Sequence, residues 1–255
     1  EFRRVLFRSL GDSVIFGSDN VIGRTSDILT NDSAVAPLEF LNAGVPGYTN
    51  YQQITYLKRD GVRFKPGLVG IVFVLNDLHR FLHAPRFDGD TVIGNTFWDR
   101  TPALSHSVFL NWIYSRTRAA IALLRVKIAN AYTFDYNPDF GPAWDDNAWK
   151  VIDSQIGEAV ALGRTSGFRM FLAVVPFGEQ LRADYLARDV SYVTKPQRRL
   201  REICLRRGIP YLDLMPLLNH RHLQSDRIHL TSDGKAVVAL ALANFLRRQQ
   251  LVPTR

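Results

Sequence analysis

The chain has one cysteine, Cys204, among its 255 residues, and only two methionines. A lone cysteine excludes an internal disulfide and any zinc cluster built on cysteine thiolates. It does not fix the compartment. No apolar run approaches the roughly 18 residues that a membrane-spanning helix requires. There is no internal repeat and no low-complexity tract, so the composition excludes collagen-like, coiled-coil and disordered chains. What remains is ordinary globular chemistry: 46% hydrophobic, 22% charged and 11% aromatic residues. The length suits one domain with a full hydrophobic core. A net charge of +8 permits an acidic partner without demanding one. The arginines come without aromatic interleaving or a binding motif, so nucleic acid is not an expected partner.

The first nine residues, EFRRVLFRS, read as the in-frame translation of a common sequencing adapter. They are expected to be an assembly scar, which leaves 10–255 as the domain. The native N-terminus, with any signal peptide or anchor, would then be missing. The apolar stretch from Val5 to Phe7 can still stand in for part of a first strand.

Short apolar runs alternate with longer amphipathic ones. Runs at 38–43, 68–75, 168–175 and 209–214 predict strands, and LVGIVFVL at 68–75 reads as a strand buried on both faces. Helical patterns cover about 50–63, 104–130, 145–163, 190–207 and 232–249. This alternation predicts an α/β fold with a mostly parallel sheet. Residues 80–145 break the rhythm with no clear strand, several Pro and Gly, and an aromatic excess. They read as an insertion within one domain, either capping a site or packing as a helical subdomain. All four tryptophans lie between Trp98 and Trp149.

In open α/β sheets, chemistry collects at the carboxyl ends of the strands. Gly11-Asp12-Ser13 follows the first strand, Asn42 to Gly47 the second, and Asn76-Asp77 the third. Asp226-Arg227-Ile228-His229 precedes the final helix. A serine, a glycine turn, an asparagine and an Asp/His pair are the inventory for acyl transfer. The nucleophile needs a base, the base an orienting carboxylate, and the oxyanion hydrogen-bond donors. Taken singly, Ser13 reads as a helix N-cap, Asn76 as a loop cap and Asp226 as a turn residue.

The four segments LGDSVIFG, NAGVPGYT, VLND and SDRIHLTSDG resemble, in order, the sequence blocks of the SGNH (GDSL) hydrolase family, across residues 10 to 235. The resemblance implies a three-layer α/β/α sandwich with a flavodoxin-like parallel sheet of order 2-1-3-4-5. It implies Ser13 as nucleophile, with Asp226 and His229 completing the triad. The oxyanion hole would comprise Ser13, Gly47 and Asn76. The implied activity is carboxylic ester hydrolysis with neither cofactor nor metal. Substrates would be small-molecule, lipid or glycan esters, including O-acetylated glycans. Two alternatives share the scaffold: acyl transfer to a polysaccharide hydroxyl, and a non-catalytic glycan-binding module. The resemblance favours a bacterial envelope or exported setting and leaves membrane association open. One departure is Leu75, where many members have glycine.

Other residues carry less. His79 and His83 are four apart, but Arg80 stands where a metalloprotease helix would have its glutamate, so metal binding is not expected. His220 and His222 read as solvated loop residues. Cys204 reads as core packing. Arg198, Arg199, Arg201, Arg206 and Arg207 read as a solvated helix face. Asp12 and Asp77 are expected to brace loops by hydrogen bonding.

Overall fold

The apolar run LVGIVFV becomes a strand, β3 (Leu68–Val74), and every residue of it is buried. Val69, Ile71 and Phe73 enter one core while Leu68, Val72 and Val74 enter another. That is the period-two alternation of a strand covered on both faces, which is why the sequence shows no polar interruption. In this computed structural model the described residues are 5–78, 86–88, 91–93, scattered positions between 107 and 124, 131–137 and 139–255.

The other elements follow in chain order. Strands β1 (Val5–Gly11) and β2 (Leu38–Gly44) precede β3, and a short pair, β4 (Arg86–Asp88) and β5 (Thr91–Ile93), comes after it. Strands β6 (Arg169–Val175) and β7 (Tyr211–Asp213) complete the set. The main sheet is parallel throughout, in the order β2-β1-β3-β6-β7. Counting only its own strands, this is the expected order 2-1-3-4-5.

Helices cover both faces. On one lie α2 (Asn50–Arg59), α3 (Asp146–Ser166), α4 (Ala183–Val193) and α5 (Lys195–Arg207). On the other lie α1 (Val21–Thr30) and α6 (Ser232–Arg248). The chain is therefore a three-layer α/β/α sandwich. No described helix is long and apolar enough to cross a membrane.

Four expectations need correction. The pattern at 190–207 is not one helix: Asp189 leaves helical geometry, Thr194 separates α4 from α5, and Pro196 opens α5 in its first turn. Proline suits a first turn and disrupts a helix interior, so it marks a boundary there. Helix α1 was not anticipated; Asn20 caps it by accepting the Gly23 N–H at 2.8 Å. The insertion does contain strand, since β4 and β5 pair antiparallel with Asp88 opposite Thr91. Of the α5 arginines, Arg198, Arg201 and Arg206 are exposed as expected, but three of the five also form ion pairs. Arg206 and Arg207 reach Asp153 of α3, at 3.1 and 2.6 Å, and Arg199 reaches Asp146 at 2.7 Å.

Several aromatic residues of the insertion are core. Phe134 stacks on Trp144 with ring centroids 3.9 Å apart, and Phe140 stacks on Phe177 at the same spacing. Tyr132 meets Tyr185 edge-on at 4.9 Å. His79, His83, Phe81, Phe97, Trp98 and Tyr114 lie outside the described residues, as does most of the expected helix at 104–130. Cys204 is fully buried, and burial pushes its thiol up to about 12, so it packs as an apolar side chain.

Candidate active site

Parallel strands end on the same edge. Gly11 pairs with Gly44 on one side and Val72 on the other, so the segments that follow β1, β2 and β3 emerge side by side. Asp12 and Ser13 begin a turn in which the Ile15 N–H reaches the Asp12 carbonyl and the Phe16 N–H the Ser13 carbonyl. Asn42 braces that turn from β2: its Nδ2 donates to the Ile15 carbonyl, and its Oδ1 accepts the Gly44 N–H.

The second segment is a β-turn over Val45-Pro46-Gly47-Tyr48, closed by the Tyr48 N–H on the Val45 carbonyl at 3.1 Å. Gly47 has φ +77°. Proline followed by a positive-φ glycine is the pattern of a type II turn. A residue with a Cβ would pay roughly 1–2 kcal/mol for that backbone region. The Val45 N–H bonds to the Gly11 carbonyl at 3.2 Å, which ties this turn to the strand leading into Ser13.

The third segment, after β3, is a 3₁₀ turn over Leu75–Leu78. Asn76 Nδ2 donates to Asp12 Oδ2 at 3.1 Å. Asp77 is fully buried and accepts the Val74 N–H at 3.0 Å. Burial, helped by the nearby Asp12 carboxylate, pushes Asp77 well above the usual carboxylate range against the pull of the Val74 N–H and Gln53. Burial also raises Asp12, opposed by hydrogen bonds from Val14 and Asn76 and by the proximity of His229 and Ser13.

The fourth segment comes from the far end of the sequence. Leu223 and Leu230 form an antiparallel bridge, and the loop between them carries Asp226 and His229. The Gln224 N–H donates to the His229 carbonyl at 2.7 Å, and the Arg227 N–H to the Gln224 carbonyl at 2.9 Å. Ser13 Oγ lies 2.8 Å from His229 Nε2, and His229 Nδ1 lies 2.6 Å from Asp226 Oδ2. Asp226 Oδ1 accepts the N–H groups of Ile228 and His229, at 2.9 and 3.0 Å. Its partial burial alone would raise its pKa, but the His229 ring and those two N–H groups outweigh this and hold it below the ordinary value. Thus Ser13, His229 and Asp226 form one hydrogen-bonded series, with Asn76 joined to it through Asp12 and the Gly47 turn on the same sheet edge.

Sequence reasoning passed over the residues that carry the His229 loop. The Gly178 N–H, just beyond β6, donates to the Arg227 carbonyl at 2.9 Å. A Cβ on Gly178 would stand 2.6 Å from that of Arg227. The Arg227 guanidinium pairs with Glu179, which Arg182 also approaches at 3.4 Å. Glu179 follows the carboxyl end of a strand, so the rule that drew attention to Asn76 also points to it. Its partner 48 residues away leaves no pattern in sequence. A cleft lined by Arg182, His220, Leu223, Gln224, Ser225 and Arg227 opens beside the loop. His220 is exposed and His222 half-buried. Among the described residues no three His, Cys, Asp or Glu side chains draw together as a metal site would need.

No protein-family model and no curated protein matches the chain. Solved structures do. A lipase/acylhydrolase from Enterococcus faecalis aligns over 98% of both chains, with a TM-score of 0.57 at 13% identity. A structure described as a lipolytic protein of the G-D-S-L family, from Desulfitobacterium hafniense, aligns over 95% of this chain and all of its own, at 0.55 and 12%. The acetyl xylan esterase AlAXEase aligns over 94% of this chain and 98% of its own, at 0.54 and 13%. With this sheet order, these three layers and alignment from end to end to such structures, the chain has the fold of the SGNH (GDSL) hydrolases.

Proposed function

We propose that the protein is a serine-dependent carboxylic ester hydrolase. The observation that carries this reading is the continuous series Ser13–His229–Asp226, with contacts of 2.8 and 2.6 Å. Asp226 accepts a proton of the ring at Nδ1, which leaves Nε2 as the acceptor facing Ser13 Oγ. In the reaction, Oγ attacks the ester carbonyl carbon as His229 takes its proton. Asp226 steadies the imidazolium that results. The carbonyl π electrons move to oxygen, where the N–H groups of Ser13 and Gly47 and the Asn76 amide receive the charge. The intermediate collapses, His229 protonates the leaving alcohol, and an acyl-serine remains. Water, deprotonated by His229, repeats the cycle and releases the acid.

Asp226 and His229 retain about two fifths of their side-chain surface in solvent, which leaves the base open to incoming water. The neighbouring structures include a lipase/acylhydrolase and an acetyl xylan esterase, so short-chain and acetyl esters, including acetylated glycans, are the first substrate classes to examine. Hydrolysis of p-nitrophenyl acetate by the protein and by Ser13→Ala tests the reading. Turnover abolished in a folded variant is the expected result. Equal turnover in both removes Ser13 from the chemistry.

A further inference from the structure

We infer that Asp12 is a positioning residue for the oxyanion hole: its carboxylate dictates which way round the Asn76 amide sits. This rests on the hydrolase reading above, but it is carried by separate observations.

Asp12 is completely buried between the nucleophile turn and the turn after β3. Its Oδ1 accepts the Val14 N–H at 2.9 Å, and its Oδ2 accepts Asn76 Nδ2 at 3.1 Å. One carboxylate thus links the residue after the nucleophile to the amide on the opposite wall. Both oxygens of Asp12 act as acceptors in these contacts, so the carboxyl presents an acceptor to Asn76. Asn76 must therefore turn its NH₂ toward Asp12, because the reverse orientation would set two acceptor oxygens face to face. The amide has two N–H bonds. With one committed to Asp12, the other is held to a single direction and serves the oxyanion. Asn76 Oδ1 is buried with no hydrogen-bond partner among the described residues, so no described contact on that side holds the amide. Among the described residues, Asp12 is the group bonded to the amide, and it sets the orientation.

The isosteric change Asp12→Asn separates this from simple bracing. Asn at 12 still accepts the Val14 N–H, but then presents its own NH₂ to Asn76. The favourable response is for Asn76 to flip and offer its oxygen, which takes its donor out of position. Loss of an oxyanion donor lowers kcat about 10²–10³-fold. We expect D12N to lower kcat by that factor with little change in KM, and N76A to do the same. In D12N/N76A the losses should not multiply, because Asp12 acts through an amide already gone. Multiplied losses, or wild-type turnover in D12N, overturn the inference.

A second readout needs no turnover. In protein labelled with ¹⁵N-asparagine, the Asn76 side-chain signal is assigned by its loss in N76A. One of its two protons should be displaced downfield by the carboxyl acceptor, and the displacement should vanish in D12N. A wild-type Asn76 amide without a displaced proton overturns the inference even if D12N fails to fold. If instead Ser13→Ala hydrolyses ester as fast as wild type while the displaced proton is present, the hydrolase reading fails and the Asp12–Asn76 relationship stands.

Discussion

Asp226 holds His229 at two points: Oδ2 on the ring nitrogen Nδ1 at 2.6 Å, and Oδ1 on the same residue's backbone N–H at 3.0 Å. The side chain that meets ring nitrogen Nδ1 therefore also sets the position from which the ring reaches Ser13. A spacing of three residues within one tight loop makes both contacts possible.

Asp226→Asn tests that double role. The amide keeps an oxygen for the backbone contact but presents an NH₂ to Nδ1. The ring then carries its proton on Nε2 and cannot accept from Ser13. We expect kcat to fall by about 10⁴-fold, the scale seen when a triad aspartate becomes asparagine, with the fold retained. A variant with at least a tenth of wild-type kcat would mean that Asp226 does not set the tautomer.

Glu179→Ala tests how the loop is held from outside. Glu179 is nearly buried and pairs with Arg227, whose backbone adopts φ +62° between Asp226 and His229. A non-glycine residue in that region needs surrounding structure to keep it there. Removing the carboxylate should let the loop drift, and sub-ångström placement matters to proton transfer. We expect kcat/KM to fall by about 10- to 100-fold while circular dichroism stays unchanged. Unaltered kinetics would show that the Gly178 N–H contact is enough to hold the loop.

Asp77→Asn concerns stability. Asp77 is held well above the usual carboxylate value, burial being the main cause. The unfolded chain loses this proton near pH ~4, whereas the native state keeps it to higher pH. The native state therefore binds more protons across that interval, and the group's contribution to stability declines as pH rises through it. Asparagine cannot ionise, so the advantage of the variant over wild type should grow with pH above ~4. Urea midpoints at pH 4, 5.5 and 7 measure this. A difference that does not change with pH would show that Asp77 titrates normally.

The sheet is legible in the sequence because its inner strands are covered on both sides, and β3 and β6 are apolar wherever both faces are buried. Helix α1 was hidden for the converse reason. Val21, Ile22 and Leu29 are buried with a threonine between them, and Thr25 is satisfied by the Val21 carbonyl, so the apolar stripe is short. The break between α4 and α5 was signalled by Pro196 but masked by amphipathic pattern on either side. At the site, Ser13, Gly47 and Asn76 are visible because each follows a strand end, and Asp226 and His229 because they stand three residues apart just before the last helix. The residues that hold them are not, because Asp12–Asn76 and Glu179–Arg227 join segments 64 and 48 residues apart. No local period records such pairs.

The central claim is that Ser13 is the nucleophile and that His229 activates it. The most direct measurement is covalent capture: the protein is incubated with a fluorophosphonate, digested, and the modified peptide sequenced by mass spectrometry. One adduct on Ser13, formed far more slowly in His229→Ala, is the predicted result. An unmodified Ser13 in protein that still hydrolyses ester, or an adduct on another residue, would contradict it.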